Sequence, residues 1–338
     1  MAKIFDKDHL DEAAKLLQAG ELVAFPTETV FGLGAIANQE RAVEKVFALK
    51  GRPQDNPLIV HVYVAQQCFS LTTLNAQQKE IFLRLTEKFW PGPLTLVVPI
   101  KEGVLAPAAT GGLATVGFRM PAHPLTLALI EKVGFPLVGP SANISGKPSP
   151  TSVDHVLHDF PSGLGGIIDS KPTEIGVEST VLSLCEEPYP ILRPGAITYS
   201  DLVNTCPETN FANFKKRVLG EKEIPMAPGM KYRHYSPEKP VIAVAAQKIA
   251  SVLDRYSEQK MFCAAKKNTL ENLTMEPKAY MFNLGDTDEE ATHNLFKALR
   301  EADSYSEIDL IVVEMLPNKE HNLAYRNRLE KASVQIIE

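Results

Sequence analysis

Lys50 and Arg52 stand two positions apart in KGRPQDNPLIVH, residues 50–61, braced by Pro53 and Pro57. Two cations on a stiff turn can meet an anion with little loss of conformational freedom. They can equally be basic residues complementing the dipole of a helix end. Further cations lie beside Gly or Pro at the ends of strand-like runs: Arg119 in TVGFRMP and Arg193 in ILRPG. Between them come turns rich in hydroxyls. These are Thr27 and Thr29 in FPTETVFGLGA, Ser141 and Ser149 in GPSANISGKPSPTS, and Ser179 and Thr180 in GVESTVLSL. Hydroxyls and backbone N–H groups in such turns can cradle phosphate. Each segment also has a plain structural reading as a tight turn, a helix cap or a solvated arginine.

Taken together, Arg52, Arg119 and Arg193 with the intervening hydroxyls suggest one anion-filled cleft. The chain offers no Ser-His-Asp spacing, HExxH, paired catalytic carboxylates or reactive-cysteine context. The Ser/Gly-rich loop is not a Walker A loop: Pro148 follows Lys147 where Ser or Thr is required. No GxGxxG follows the strand LVAF. Cations and hydroxyls without a nucleophile suit a reaction in which both partners are bound substrates. The protein then contributes position and charge stabilisation. Lys231, Tyr232, Arg233, His234 and Tyr235 in APGMKYRHYSP add a cation-plus-aromatic cluster. Such a cluster suits clamping a base and its phosphates, or packing between domains.

The elements that must position these residues alternate over the first 200 positions. His9 to Ala19 carries a helical apolar stripe closed by Gly20, and LVAF reads as a short buried strand cut by Pro26. Helical patterns recur at Glu40–Leu49 and Asn75–Trp90. Another starts at Pro124 and ends at Gly134, and a fourth runs from Thr151 to Phe160 with Thr151 or Ser152 as cap. LIVHV, LTLVVP, TVGF, PLVG, GIID and TVLSL read as strands, whereas FPTETVFGLGA reads as a strand joined to a Gly-rich segment, or as a tight turn with cap residues. After a proline-rich stretch at 221–240, VIAVA, MFCAA, AYMFNLG and DLIVVEM alternate with helical patterns at Gln247–Gln259 and Thr287–Asp303. The second opens on a capping box with Glu290. This rhythm predicts a small parallel sheet.

At 338 residues, 44% hydrophobic and 22% charged, the composition is that of a globular protein large enough for two domains. A net charge of −6 argues against binding nucleic acid by bulk electrostatics. Four scattered cysteines, no signal-peptide pattern and no 18-residue apolar run lead to the expectation of a reduced, cytoplasmic location without a membrane span.

FPTETVFGLGA, KGRPQDNPLIVH, FWPGPLTLV, TVGFRMP, PSANISGKPSPT, GVESTV, ILRPG and PGMKYRHYSP occur in this order. Together they resemble the YrdC/Sua5 family of L-threonylcarbamoyladenylate synthases, in its longer two-domain form. The resemblance implies an α/β fold: a YrdC-like twisted mixed β-sheet with flanking helices over 1–208, a linker or lid at 209–240, and a small Rossmann-like parallel domain at 241–338. It implies the condensation of L-threonine, bicarbonate or CO2, and ATP into threonylcarbamoyl-AMP and pyrophosphate, feeding N6-threonylcarbamoylation of adenosine 37 in tRNA.

The family's roles carry over where the motifs match. Arg52, Asn56, Thr115, Ser141, Ser149, Arg193 and Tyr232 would contact ATP. Thr29, His61, Arg119 and Ser179 would surround threonine, with Arg119 on its carboxylate. Lys50 and Arg52 would stabilise the reacting phosphate. Mg²⁺ would accompany ATP without a carboxylate cage of its own. The downstream tRNA threonylcarbamoyl-transferase complex is an expected partner, and direct tRNA binding is expected to be weak or absent. Two positions depart from the family pattern: Phe31 where Tyr is common, and Gly139 where a small side chain often stands. The rival classes are a double-stranded RNA-binding module, disfavoured by net charge, and a carbamoyl-transfer domain of the hydrogenase-maturation type.

Overall fold

Leu10, Ala13, Ala14 and Leu17 recur at helical spacing, and they form the buried face of the helix Leu10–Gln18. The helix Glu40–Lys50 buries Ala42, Val43, Val46, Phe47 and also Lys50. It stops where Gly51 takes a left-handed conformation with φ 60°. Pro124 opens and Gly134 closes the helix Pro124–Val133. Of the two expected caps, Ser152 is the one used, accepting the His155 N–H at the start of Val153–Asp159. Asn75 with Gln78 and Thr287 with Glu290 form capping boxes on Ala76–Phe89 and Asp288–Asp303.

This computed structural model describes residues 2–210, 225, 234–273 and 279–338. The chain divides into two compact units. One comprises Met1–Ser145, Pro150–Thr173 and Glu178–Lys231, and the other Gly146–Ser149, Glu174–Val177 and Tyr232–Glu338.

The first unit is built on one mixed sheet. Its strands are β1 (Lys3–Phe5), β2 (Val23–Phe25), β3 (Gly32–Ile36), β4 (Ile59–His61), β5 (Leu94–Pro99), β6 (Thr115–Arg119), β7 (Leu137–Val138), β8 (Gly166–Ile168), β9 (Thr180–Ser183), β10 (Tyr189–Arg193) and β11 (Thr209–Asn210). Their order is β1-β8-β2-β3-β7-β4-β6-β5-β9-β10-β11. β4 runs parallel to β6, β5 antiparallel to β6 and parallel to β9, and β9 antiparallel to β10.

The Gly-rich GLGAI is a buried strand, which excludes the tight-turn reading of this segment. A Cβ at Gly32 would lie 2.7 Å from the Phe25 ring, and one at Gly34 would lie 2.8 Å from the Val23 carbonyl. The glycines are there so that β3 can pass under an aromatic ring, not to bend the chain.

Alternation sorts the two faces of this sheet. Val60, Leu94, Leu96, Val98, Val116, Phe118 and Leu182 enter the main core. The opposite face, over β2, β3 and β7, is covered by helices Leu10–Gln18 and Pro124–Val133 through Phe25, Ile36, Leu129, Ile130 and Leu137. Farther along that same face lie Ile59, His61, Thr95, Gly117 and Arg119.

The second unit carries a parallel sheet of β12 (Val241–Ala245), β13 (Met261–Ala265), β14 (Ala279–Asn283), β15 (Leu310–Met315) and β16 (Gln335–Ile337), in the order β14-β13-β15-β12-β16. The parallel α/β architecture is the expected one. β16 and the helix Leu323–Ala332 before it are additions to the four expected strands. No helix among the described residues is long and apolar enough to cross a membrane.

Candidate active site

The site is assembled on β4, β6, β5 and β9. His61 and Arg119 are register partners at the carboxyl ends of β4 and β6. Their neighbour Gly117 keeps the face low, since a Cβ there would approach the Thr95 Cγ2 to 2.9 Å.

Arg119 is buried and fully oriented. Its Nε donates to the Gly92 carbonyl at 3.2 Å and its Nη1 to Thr29 Oγ1 at 2.9 Å. Nη2 lies 2.7 Å from Glu28 Oε1. The turn that presents Thr29 is tied by Thr27, whose hydroxyl accepts the N–H groups of Thr29 and Val30 and donates to the Val30 carbonyl at 2.7 Å. This is why PTET follows a buried strand directly: Pro26 ends β2, and Thr27 then replaces the lost ladder partners.

Three strands away, on β10, Arg193 donates from Nε to the Ser179 carbonyl and from Nη2 to Ser179 Oγ, both at 3.1 Å. Ser179 Oγ lies 2.8 Å from Thr95 Oγ1. Thr95 is on β5, which pairs with β6, the strand that ends in Arg119. Arg119 and Arg193 therefore belong to one polar array at one end of the strands. Gly195 follows the arginine because a Cβ there would sit 2.2 Å from the Thr180 nitrogen.

A second group occupies the opposite end of β4. Arg52 donates from Nε to the Asn56 carbonyl at 3.2 Å and from Nη2 to the Pro57 carbonyl at 3.0 Å. Lys50, 2% exposed, points its ammonium at the carbonyls of Ser141 and Asn143, at 2.5 Å each. The Lys50 carbonyl in turn accepts the Ser145 N–H at 2.8 Å. Thr115 is half-buried at the start of β6. The two groups are joined by the segment from Pro57 to His61, whose last three residues are β4. Ser149 is buried and falls in the second unit, where its carbonyl accepts from Arg300 Nε at 3.4 Å. Tyr232, with Lys231 and Arg233, lies outside the described residues.

Burial, and then the charge of Arg119, hold the His61 imidazole well below its ordinary pKa, so it is neutral near pH 7. The ring stands edge-on to Phe25 at 5.4 Å between centroids. Gly139 is explained by this pair: a Cβ there would lie 2.6 Å from His61 Nδ1 and 2.7 Å from Phe25. Phe31, the other departure, is fully buried in the main core, where a tyrosine hydroxyl would need a partner.

Glu28 Oε1, Asn56 Oδ1, His61 Nδ1 and Arg119 Nη2 are buried and make no hydrogen bond. Glu28 and Arg119 touch as charges, at an angle that directs no bond between them. Folded proteins seldom leave such groups unpaired, and a bound ligand is one established reason. Three of these residues had been picked out from motifs. Glu28 had not, nor had Thr95 or Gly92. The one visible signal for Glu28 was a carboxylate between two threonines directly after a buried strand. All four cysteines are free, and burial raises the pKa of every thiol, so none is poised as a nucleophile.

Residues 15–195 match the Sua5/YciO/YrdC family profile, described as "Telomere recombination", and residues 197–334 match the threonylcarbamoyl-AMP synthase C-terminal domain. The threonylcarbamoyl-AMP synthase of Pyrococcus abyssi is 45% identical, covering 95% of this chain and 93% of that protein. The enzyme of the same name from Bacillus subtilis is 41% identical over 95% of this chain and 92% of its own length. The crystal structure of P. abyssi Sua5 complexed with L-threonine superposes with a TM-score of 0.90 at 42% identity, covering 100% of this chain and 99% of that one. With both halves matched and a site of this make-up, the chain belongs to the Sua5/YciO/YrdC family, as a two-domain enzyme of the threonylcarbamoyl-AMP synthase type.

Proposed function

We propose that the protein condenses L-threonine, bicarbonate or CO2, and ATP into threonylcarbamoyl-AMP and pyrophosphate, and that the product supports N6-threonylcarbamoylation of tRNA adenosine 37. The observation that carries this reading is the joined array of Arg119, Thr29, Thr95, Ser179 and Arg193 on one sheet face, with buried polar atoms left unpaired beside it.

In this reading threonine lies at the Arg119 end, among Thr29, His61 and Ser179. Its amine takes up CO2 and releases a proton to give a carbamate. A carbamate oxygen attacks the α-phosphorus of ATP, and the bond to the β-phosphate oxygen breaks as pyrophosphate leaves. Arg52, Asn56, Thr115, Ser141, Ser149, Arg193 and Tyr232 hold the nucleotide. Lys50 and Arg52 supply positive charge near the phosphates, and Lys50 also fixes the loop that carries Ser141. Both reactants are anionic, so cations in a water-poor site lower the barrier to their meeting far more than they would in bulk water. The neutral His61 adds a hydrogen-bonding ring without a third positive charge beside Arg119.

Mg²⁺ would accompany ATP, held by substrate phosphates and water, and would offset their charge. Among the described residues no three His, Cys, Asp or Glu side chains group as metal ligands, and the carboxylate of Glu28 is paired with Arg119. The test is pyrophosphate release from ATP by the purified chain. The reading requires strict dependence on both L-threonine and bicarbonate, and release without either would refute it.

A further inference from the structure

Glu28 divides its carboxylate between two tasks. Oε2 accepts the Ala122 N–H at 3.0 Å, which fixes the side chain. Oε1 faces Arg119 Nη2 at 2.7 Å and accepts no hydrogen bond. Glu28 is 6% exposed and Arg119 4%, so each charge is the other's chief compensation.

The neighbouring hydroxyls restrict what can bind. Thr27 has one hydroxyl proton, and it is directed at the Val30 carbonyl, which can only accept. The contact of 2.8 Å between Thr27 Oγ1 and Thr29 Oγ1 has only the Thr29 proton to draw on, and it shares Thr27 with the two N–H groups already bound there. Thr29 Oγ1 also accepts from Arg119 Nη1. One lone pair on it remains. Beside Arg119, the site thus presents two acceptors, Glu28 Oε1 and Thr29 Oγ1. A ligand group seated here must donate, and next to a carboxylate it is best positively charged.

We infer that Glu28 is the ammonium-binding residue of the amino-acid site. The incoming zwitterion parts the Arg119–Glu28 contact, presenting its carboxylate to Arg119 and its ammonium to Glu28 Oε1 and Thr29 Oγ1. One internal ion pair becomes two, and no buried charge is left alone at any stage. A hydroxy acid of the same shape would leave Glu28 facing no cation. The assignment rests on the threonine reading above and adds a residue to it.

The experiment is calorimetric titration of the full-length wild-type chain and Glu28→Gln with L-threonine and with 3-hydroxybutanoate, which lacks only the amine. The wild type should bind threonine at least roughly tenfold more tightly than 3-hydroxybutanoate, the fold-change of one charged hydrogen bond. Glu28→Gln should lose that margin through threonine alone. If Glu28 only holds Arg119 in place, both ligands weaken together, the ratio survives and the assignment falls. A wild-type ratio near one also overturns it. If Glu28→Gln does not fold, the wild-type ratio and Glu28→Asp decide: a reduced ratio in the Asp variant is expected, and an unchanged one refutes the role. Failure of the wild type to bind threonine at all is a different result, since it removes the substrate reading itself.

Discussion

Arg193 holds Ser179 at two points, backbone carbonyl and side-chain hydroxyl, each 3.1 Å from a guanidinium nitrogen. The clasp fixes the residue that enters β9, and it passes through Ser179 to Thr95 on the neighbouring strand. A planar fork can make both bonds at once, whereas an ammonium is a point donor.

Arg193→Lys should therefore keep the charge and lose the geometry. We expect kcat/KM for pyrophosphate release to fall at least about tenfold, as one charged hydrogen bond is lost. Unfolding in urea should show a loss of about 1–3 kcal/mol as the buried Ser179 carbonyl loses its guanidinium donor. Wild-type kcat/KM in the Lys variant would mean that charge alone matters at this position.

Gly139→Ala should be destabilising although alanine is small. The new Cβ meets His61 and Phe25, both buried, so the strain falls on rings with little room to move. Overpacking of this kind costs about 1–3 kcal/mol. His61→Ala in the same chain should relieve part of it, giving a double variant more stable than the sum of the singles predicts. Strict additivity by urea unfolding would show that the ring is not what the methyl meets.

The outline of the fold was legible because its elements are locally consistent: helical stripes closed by Gly20, Gly51 and Gly134, and a strand cut by Pro26. β3 was not legible because Gly32 and Gly34 carry no propensity that tells a turn from a strand beneath an aromatic ring. Only the position of Phe25 across the hairpin decides it. Arg119, Arg193 and Ser179 were found by their motifs, but what they touch was not. Glu28 and Arg119 are distant in sequence, and an ion pair between them is a property of sheet order. Lys50 shows the opposite limit. Its charge pointed to an anion, while its place on the buried face of a helix gave it carbonyl partners.

The His61 imidazole supplies a pH dependence with a definite sign. Its folded pKa is depressed below the unfolded value by burial and by Arg119. Above the unfolded value of about 6.5 both states are neutral there and the group contributes no slope. Below it the unfolded chain binds a proton that the folded chain refuses, so stability falls as pH falls. The slope from this one group approaches about 1.4 kcal/mol per pH unit. His61→Gln should remove that increment between pH 6.5 and 5 in urea titrations. Parallel wild-type and variant curves over that range would show that His61 is protonated when folded.

Lys50→Met separates two functions of one ammonium. If Lys50 acts only on phosphate, the ligand-free protein loses nothing when the charge goes. The observed bonds to the Ser141 and Asn143 carbonyls predict otherwise. Methionine fills a similar volume but takes the ammonium from both carbonyls; the Ser141 carbonyl keeps the Asn143 N–H at 2.9 Å, so the loss should be about 1–3 kcal/mol in all. The loop should then open locally before the protein unfolds globally. Hydrogen exchange at the Ser145 amide, which donates to the Lys50 carbonyl, is the direct readout. We expect its protection to fall by at least about tenfold in the ligand-free variant, as an opening made easier by one such bond requires. ATP affinity should fall with it, because Ser141 and Ser149 lie at the two ends of the loop. Wild-type protection at Ser145 combined with weakened ATP binding would assign Lys50 to the phosphates alone. Lost protection with unchanged ATP affinity would make it a loop clasp and nothing more.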